Sequence, residues 1–240
     1  MRLGPPRLLK PGGLRPRLQP PPSGHRLDAA TDPRARVRRH RRRRRRRRGR
    51  LRCRRPGRQS GVEPDQTALI AGAGPIGIGL WFALRARGVD RVLVSEPSSS
   101  RRETIQGLGA TDVLDPTGTD LAPRVAELTD GHGADVAFDA AGVGVATLTA
   151  IASLTPGGRL VVVALHEKGL DFNPTVLVMG ETSVVGTLAY LPEDFDAVIA
   201  AMAEGRYSTD GWVAEIAPDQ LVHTFGELRQ GQGTKVLVRV

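Results

Sequence analysis

The sequence predicts an α/β protein built on a doubly wound parallel sheet, with a disordered basic arm in front of it. Three observations carry that expectation. From residue 61 onward, short and continuously apolar strands alternate with helical patterns, the mark of a parallel sheet covered on both faces. A glycine-rich turn, AGAGPIG, joins the first strand to the first helix. Residues 1–60 instead show almost no apolar periodicity, no aromatic residue and nine prolines. A strand, a glycine turn and a helix at the head of alternating elements narrow the class to a Rossmann-type sheet.

The elements follow in order. Thr67–Ala71 (TALIA) reads as the first strand, and PIGIGLWFALRARG as a helix stopped by Gly88. Arg91–Ser95 (RVLVS) is the second strand. Ser98–Leu108 is a helix with a serine cap, closed by Gly109. Asp112–Leu114 is a brief third strand, Ala122–Thr129 a helix and Ala134–Asp139 (ADVAFD) a fourth strand. A helix over Val143–Leu154, a fifth strand at Arg159–Ala164 (RLVVVA) and a sixth at Ser183–Thr187 complete the sheet. After Tyr190 come a helix at Glu193–Glu204, a less regular stretch with His223 in a late helix, and a last apolar strand, Lys235–Val240. That strand has no place in the six-stranded sheet, and its exposed apolar edge is an expected aggregation liability. No repeat of fixed period occurs. The expected organisation is an arm (1–60), a dinucleotide-binding domain (61–195) and a C-terminal segment (196–240).

Charge divides the chain at the same place. Residues 1–60 hold 23 basic and two acidic side chains, a balance of +21, whereas residues 61–240 hold 12 basic and 23 acidic ones, a balance of −11. The net +10 therefore belongs to the arm and is a poor guide to partners. Eight consecutive arginines, Arg41 to Arg48, repel one another well inside a Debye length of about 8 Å. Nothing in the arm buries enough surface to offset chain entropy, so it is expected to be disordered. Cys53 is the single cysteine, which excludes an internal disulfide and a four-cysteine zinc site, and a reducing cytoplasm is the default location. No apolar run approaches the roughly 18 residues of a membrane helix. No secretory signal is expected, because the N-terminus lacks an apolar core, and an organellar transit peptide would carry serine where this arm carries Pro and Gly.

The glycine turn holds Gly72, Gly74 and Gly77 in G-x-G-x-x-G spacing. Gly72 permits the tight turn, Gly74 lets a pyrophosphate approach the backbone, and Gly77 lets the helix pack close to the strand. The helix start, with Pro75 and Ile76, offers free N–H groups and a positive dipole end. By itself the spacing is weak evidence, since a purely structural turn has the same form. Here the next strand ends in Glu96, 22 residues after Gly74, suited to two ribose hydroxyls, and its charge repels a 2′-phosphate and favours NAD over NADP. Arg101 and Arg102 could soften that preference, or form a solvated helix face. Methyltransferases of this fold class have an acidic residue just before the glycines, where this chain has Ile70 and Ala71. Short-chain dehydrogenases need Tyr-x-x-x-Lys, and neither Tyr190 nor Tyr207 has it.

The ordered segments GAGPIG, VLVSEPSSSRR, LGATDVLDP, TDGHGADVAFDAAG, TPGGRLVVVAL and SVVGTLAY resemble the coenzyme domain of zinc-dependent medium-chain dehydrogenases, the sorbitol and butanediol dehydrogenase branch in particular. The resemblance runs from about Gly61 to Val240. It implies that the backbone from Gly74 to Gly77 meets the pyrophosphate, that Glu96 and Arg101 meet the adenosine ribose, and that Val163, Ala164 and Leu165 lie along the nicotinamide ribose. The family's aromatic-basic-Tyr segment falls on Leu188, Ala189 and Tyr190, where the first two side chains are smaller. It further implies hydride transfer between NAD and a secondary alcohol or vicinal diol. Independently of the resemblance, no membrane partner is expected, and a homo-oligomer stays open. The family's catalytic lobe carries a zinc held by Cys, a Gly-His-Glu histidine and carboxylates. This sequence holds no Gly-His-Glu, and no catalytic or metal-ligating residue is assigned. His25, His40, His132, His166 and His223 are expected in loops or at the surface, and Asp135 and Asp139 as solvated strand ends.

Two other readings stand beside this one. A zinc-free quinone or enone reductase of the same superfamily shares the coenzyme domain, and the polyol-branch motifs argue against it. Unspecific nucleic-acid binding through the arm would show a log–log salt slope of about −7 for eight phosphate contacts, but no aromatic residue is interleaved to stack bases. The composition of residues 1–60 matches a GC-rich gene read out of frame, so the arm is expected to replace the end of the catalytic lobe through a frameshift or a wrong start. Translating the other frames of the DNA upstream of Gly61 is expected to recover a Gly-His-Glu segment, and finding no catalytic-lobe sequence there would contradict the reading.

Overall fold

The computed structural model describes residues 61–240, so the arginine arm and the expectations placed on it lie outside the described residues. Six strands form one parallel sheet: β1 (Ala68–Ala71), β2 (Val92–Ser95), β3 (Asp112–Leu114), β4 (Ala134–Asp139), β5 (Leu154–Val162) and β6 (Ser183–Gly186). Their order is β3-β2-β1-β4-β5-β6, so chain direction across the sheet reverses between β1 and β4. Helices α1 (Pro75–Ala86), α2 (Ser99–Gly107), α3 (Leu121–Leu128) and α4 (Gly144–Ala152) make the crossovers, followed by a short α5 (Thr175–Met179) before β6.

Strand periodicity sorts the core onto two faces. Ala68 and Ile70 of β1 pack with Val92, Val94, Val136 and Phe138 against Ile78, Trp81 and Phe82 of α1 and Ile105 of α2. The alternate residues Leu69 and Ala71 pack with Leu93, Ala137 and Leu160 against Leu121 and Val125 of α3 and Ala150 and Ile151 of α4. Successive strand side chains point to opposite faces, so one apolar run supplies both cores. That is why these strands read as continuous rather than alternating. Within the first core the ring of Phe82 stacks on Tyr207 at a 5.0 Å centroid separation.

Beyond β6 lie α6 (Pro192–Ala203), β7 (Val213–Ile216), α7 (Leu221–Arg229) and β8 (Lys235–Val238). As expected, the last strand lies outside the six-stranded sheet. It pairs in parallel with β7, from Val213 opposite Lys235 to Ile216 opposite Val238. Sequence reading passed over β7 because VAEI is short and interrupted by a glutamate. The expected apolar exposure holds in part, since Leu237 is 51% exposed and Val238 37%.

Two boundaries also differ from the sequence pattern. The helix expected to run to Leu154 stops at Ala152, and β5 starts five residues earlier than Arg159. Its Thr-Pro-Gly-Gly stretch reads as a loop. In the fold it is absorbed by a register irregularity: Leu154 pairs with Ala134, and Arg159 already pairs with Val136. The strand therefore passes through a proline and two glycines without leaving the sheet.

Ile70 is fully buried in the central strand. Ile70→Ala is expected to destabilise the protein by about 2–5 kcal/mol in denaturant unfolding. A loss below ~1 kcal/mol would mean that β1 is not central to the core.

Candidate functional site at the carboxyl edge of the sheet

The first turn of the site is set by sterics. Gly72 has φ +105°, a conformation that side chains disfavour, and its N–H donates to the Ser95 carbonyl at 2.8 Å. A Cβ on Gly77 would stand 1.9 Å from the Gly72 carbonyl oxygen, whereas a Cβ on Gly74 would meet nothing within 4 Å. The three glycines therefore differ in kind. Gly72 and Gly77 let strand and helix close on each other, and Gly74 leaves open space over the turn. Pro75 occupies the first helical position, no side chain caps α1, and its first turn holds no acidic residue. The amides of Ile76 and Gly77 thus precede the first helical acceptor, at the positive end of the helix dipole. Ile76 itself is 53% exposed.

Glu96 follows β2 and is almost fully buried. One carboxylate oxygen accepts from the Ala73 N–H at 2.8 Å, and the other from the Ser98 N–H at 2.9 Å. It ties the glycine turn to the start of α2, which Ser98 caps as the sequence predicts. Arg102 donates to the backbone carbonyls of Glu96 and Pro97 at 2.9 and 2.7 Å and pairs with Asp115 at 2.9 Å. Arg101 reaches the other way, with its Nη2 3.5 Å from the Leu228 carbonyl near the end of α7.

On the other side of β1 the organising residue is Asp139, which closes β4. The expectation that it is a solvated strand end is wrong: it has no exposed surface. Its Oδ1 accepts from the N–H groups of Ala141 at 3.1 Å and Gly142 at 3.0 Å. Its Oδ2 accepts from Thr147 Oγ1 and from His166 Nε2, both at 2.7 Å. Its backbone carbonyl accepts from the N–H groups of Val163 and Ala164, both at 3.0 Å. His166 is accordingly no bare surface residue, because it is tied to a buried carboxylate. Periodicity gave the face Asp139 occupies but not the four donors that converge on it. The one available signal was Asp-Ala-Ala-Gly closing an apolar strand, where bare turn amides need an acceptor. Asp135, by contrast, accepts from the Thr67 N–H at 2.8 Å and lies 3.3 Å from His132.

The carboxyl edge thus gathers the Gly72–Gly77 turn, Glu96 and the Val163–Leu165 segment at the ends of β1, β2 and β5. Leu188 and Tyr190 follow β6, the far edge strand. They are 74% and 70% exposed, with Tyr190 stacked on Phe195 at 6.2 Å. Tyr190 and Val163 line a cavity of about 460 Å³ between α1 and α6, together with Leu80, Phe138, Val185 and Tyr207. Among the described residues no three His, Cys, Asp or Glu side chains converge as metal ligands, and no helix is long and apolar enough to cross a membrane.

Burial raises the Asp139 carboxyl, but the hydrogen bonds from Gly142, Thr147, His166 and Ala141 together outweigh it and hold it below the usual aspartate value of 3.8. A depressed carboxyl stabilises the fold above its unfolded value and loses that contribution as pH falls through the folded one. Stability is therefore expected to drop below about pH 4 less steeply in Asp139→Asn than in the unaltered chain. Parallel acid-unfolding curves would contradict this.

The zinc-binding dehydrogenase family model matches residues 75–204. An (R,R)-butanediol dehydrogenase of Bacillus subtilis is 36% identical over 186 residues, which cover 76% of this chain and 53% of the relative. One from Neisseria gonorrhoeae is 34% identical over 166 residues, 68% of this chain and 46% of the relative. The crystal structure of 2R,3R-butanediol dehydrogenase from Bacillus subtilis superposes with a TM-score of 0.69 at 36% identity, covering 76% of this chain and 53% of that one. The chain spans about half the length of these relatives. With its glycine turn, its acidic residue after β2 and its strand order, and with more than half of its length matched, the chain belongs to the zinc-binding dehydrogenase family.

Proposed function

We propose that residues 61–195 bind NAD across the carboxyl edge of the sheet, as the coenzyme half of an oxidoreductase acting on a secondary alcohol or vicinal diol. The single observation that carries this reading is the glycine turn: a closed strand–helix junction with open space over Gly74 and an uncapped helix start beneath it. A pyrophosphate there accepts from the backbone between Gly74 and Gly77, including the Ile76 amide, with the helix dipole in its favour. Glu96 takes the adenosine ribose. Its carboxylate, already fixed by two backbone N–H groups, has further acceptor capacity for hydroxyls and opposes a 2′-phosphate. Arg101 flanks that ribose from α2. Val163, Ala164 and Leu165 border the nicotinamide side, and Leu188 and Tyr190 bound the far edge. When bound, the dinucleotide supplies a hydride acceptor or donor.

The family's zinc does not fit the residues described. His132, His166 and His223 each pair with one carboxylate, and no third ligand joins any pair. By similarity to the butanediol dehydrogenases the proposed substrate is a small alcohol or diol, and a cytoplasmic location and self-association remain part of the proposal.

Isothermal titration of the full chain with NADH is expected to show saturable binding, with NADPH at least about tenfold weaker. Absence of NADH binding overturns the reading, and equal affinities overturn the role of Glu96. Gly74→Val places its Cβ in open space, with no other atom within 4 Å. It is expected to cost about 1 kcal/mol of stability at this helix cap and to abolish binding. Unchanged affinity would remove the pyrophosphate from the turn.

A further inference from the structure

Asp139 does more than a sheet needs. It ends β4, which lies between β1 and β5, in a core made mostly of apolar side chains. A buried carboxylate is costly unless its lone pairs are filled, and here all four contacts are made within the chain. They come from three separate segments: the turn after β4, through Ala141 and Gly142; the body of α4, through Thr147; and the loop leaving β5, through His166. An ionised carboxylate only accepts, so His166 carries its proton on Nε2.

The gathered segments touch one another and the glycine turn. A Cβ on Gly72 would stand 3.1 Å from the Ala141 nitrogen, and one on Gly142 would stand 2.7 Å from the Leu165 carbonyl oxygen. The floor of the edge is therefore continuous from the glycine turn, across the β4 turn, to the β5 loop. Leu165 is 89% exposed on that floor, while the neighbouring His166 side chain is only 19% exposed. The loop is pinned by one backbone pair at Val163 and Ala164 and by one side chain, His166. Among the described residues, the hydrogen bond from His166 is the tie that holds the loop beyond Ala164 to the sheet.

This matters for a dinucleotide laid across the strand reversal. Glu96 draws the adenosine half to the β2 side, so the nicotinamide half falls on the β4–β5 side. We propose, resting on the dinucleotide reading above, that the Asp139–His166 pair is a positioning device which sets the Val163–His166 loop for the nicotinamide half. Neither side chain touches the reacting atoms. Thr147 is the third member, holding the carboxylate from the helix side.

The test separates the two halves of the ligand. His166→Ala, His166→Gln and Thr147→Val in the full chain are titrated with NADH and with ADP-ribose, which lacks the nicotinamide, and each variant is melted thermally. His166→Ala is expected to weaken NADH by about tenfold, the scale of one charge-assisted hydrogen bond, and to leave ADP-ribose within about twofold. His166→Gln, which keeps a donor, is expected to recover most of the NADH affinity. Thr147→Val is expected to show the same selectivity with a smaller loss, and it serves where His166→Ala does not fold. Equal losses for both ligands, or no loss for NADH, overturn the positioning role while the dinucleotide reading stands. If the unaltered chain binds neither ligand, the dinucleotide reading fails and takes this one with it.

Discussion

A Cβ on residue 77 would lie 1.9 Å from the Gly72 carbonyl oxygen, and the rest of the edge depends on that approach. Only with hydrogen at this position does α1 start hard against the end of β1. The helix start is then held level with the strand ends, and Glu96 reaches Ala73 across the turn. Any side chain at position 77 would push the helix outward, taking its unpaired amides away from the edge and breaking the tie to β2. The constraint is steric and local, but it fixes where a negative group can sit.

Charge makes the same point from the opposite side. Residues 61–240 carry a balance of −11, which repels an anion at long range. What attracts one at the edge is short-range and built from backbone: bare amides and the end of a 12-residue helix. The basic side chains nearby are already engaged, Arg102 with Asp115 and two carbonyls and Arg101 with the end of α7. The two acidic groups at the edge are also engaged with backbone N–H groups, Glu96 on the β2 side and Asp139 on the β4 side. Each acts as a strut between loops, so the edge is shaped by buried carboxylates more than by cations.

How much of this was legible depends on the range of the physics involved. The glycine turn and Glu96 could be read because backbone sterics and strand length impose their spacing within about twenty residues. The six strands could be read because both faces of the sheet are apolar. The β7–β8 pair could not, because VAEI carries too little apolar signal to mark β7, which leaves β8 without a visible partner. The start of β5 was hidden by Thr-Pro-Gly-Gly, whose residues read as a turn and are absorbed here by an irregular register. Asp139 was misread for a different reason. A strand pattern says which way a side chain points, but not that Thr147 and His166, eight and 27 residues away, arrive at the same two oxygens.

The family assignment and the geometry meet at the glycine turn, since the family match opens at Pro75, the first residue of α1. The most direct test of the account is therefore residue-resolved: amide chemical shifts of the isotopically labelled full chain during titration with NADH. The largest shifts are expected at Gly74, Ile76 and Gly77, with a second group at Val163, Ala164 and Leu165. Saturable binding that leaves the amides of the glycine turn unmoved would contradict it.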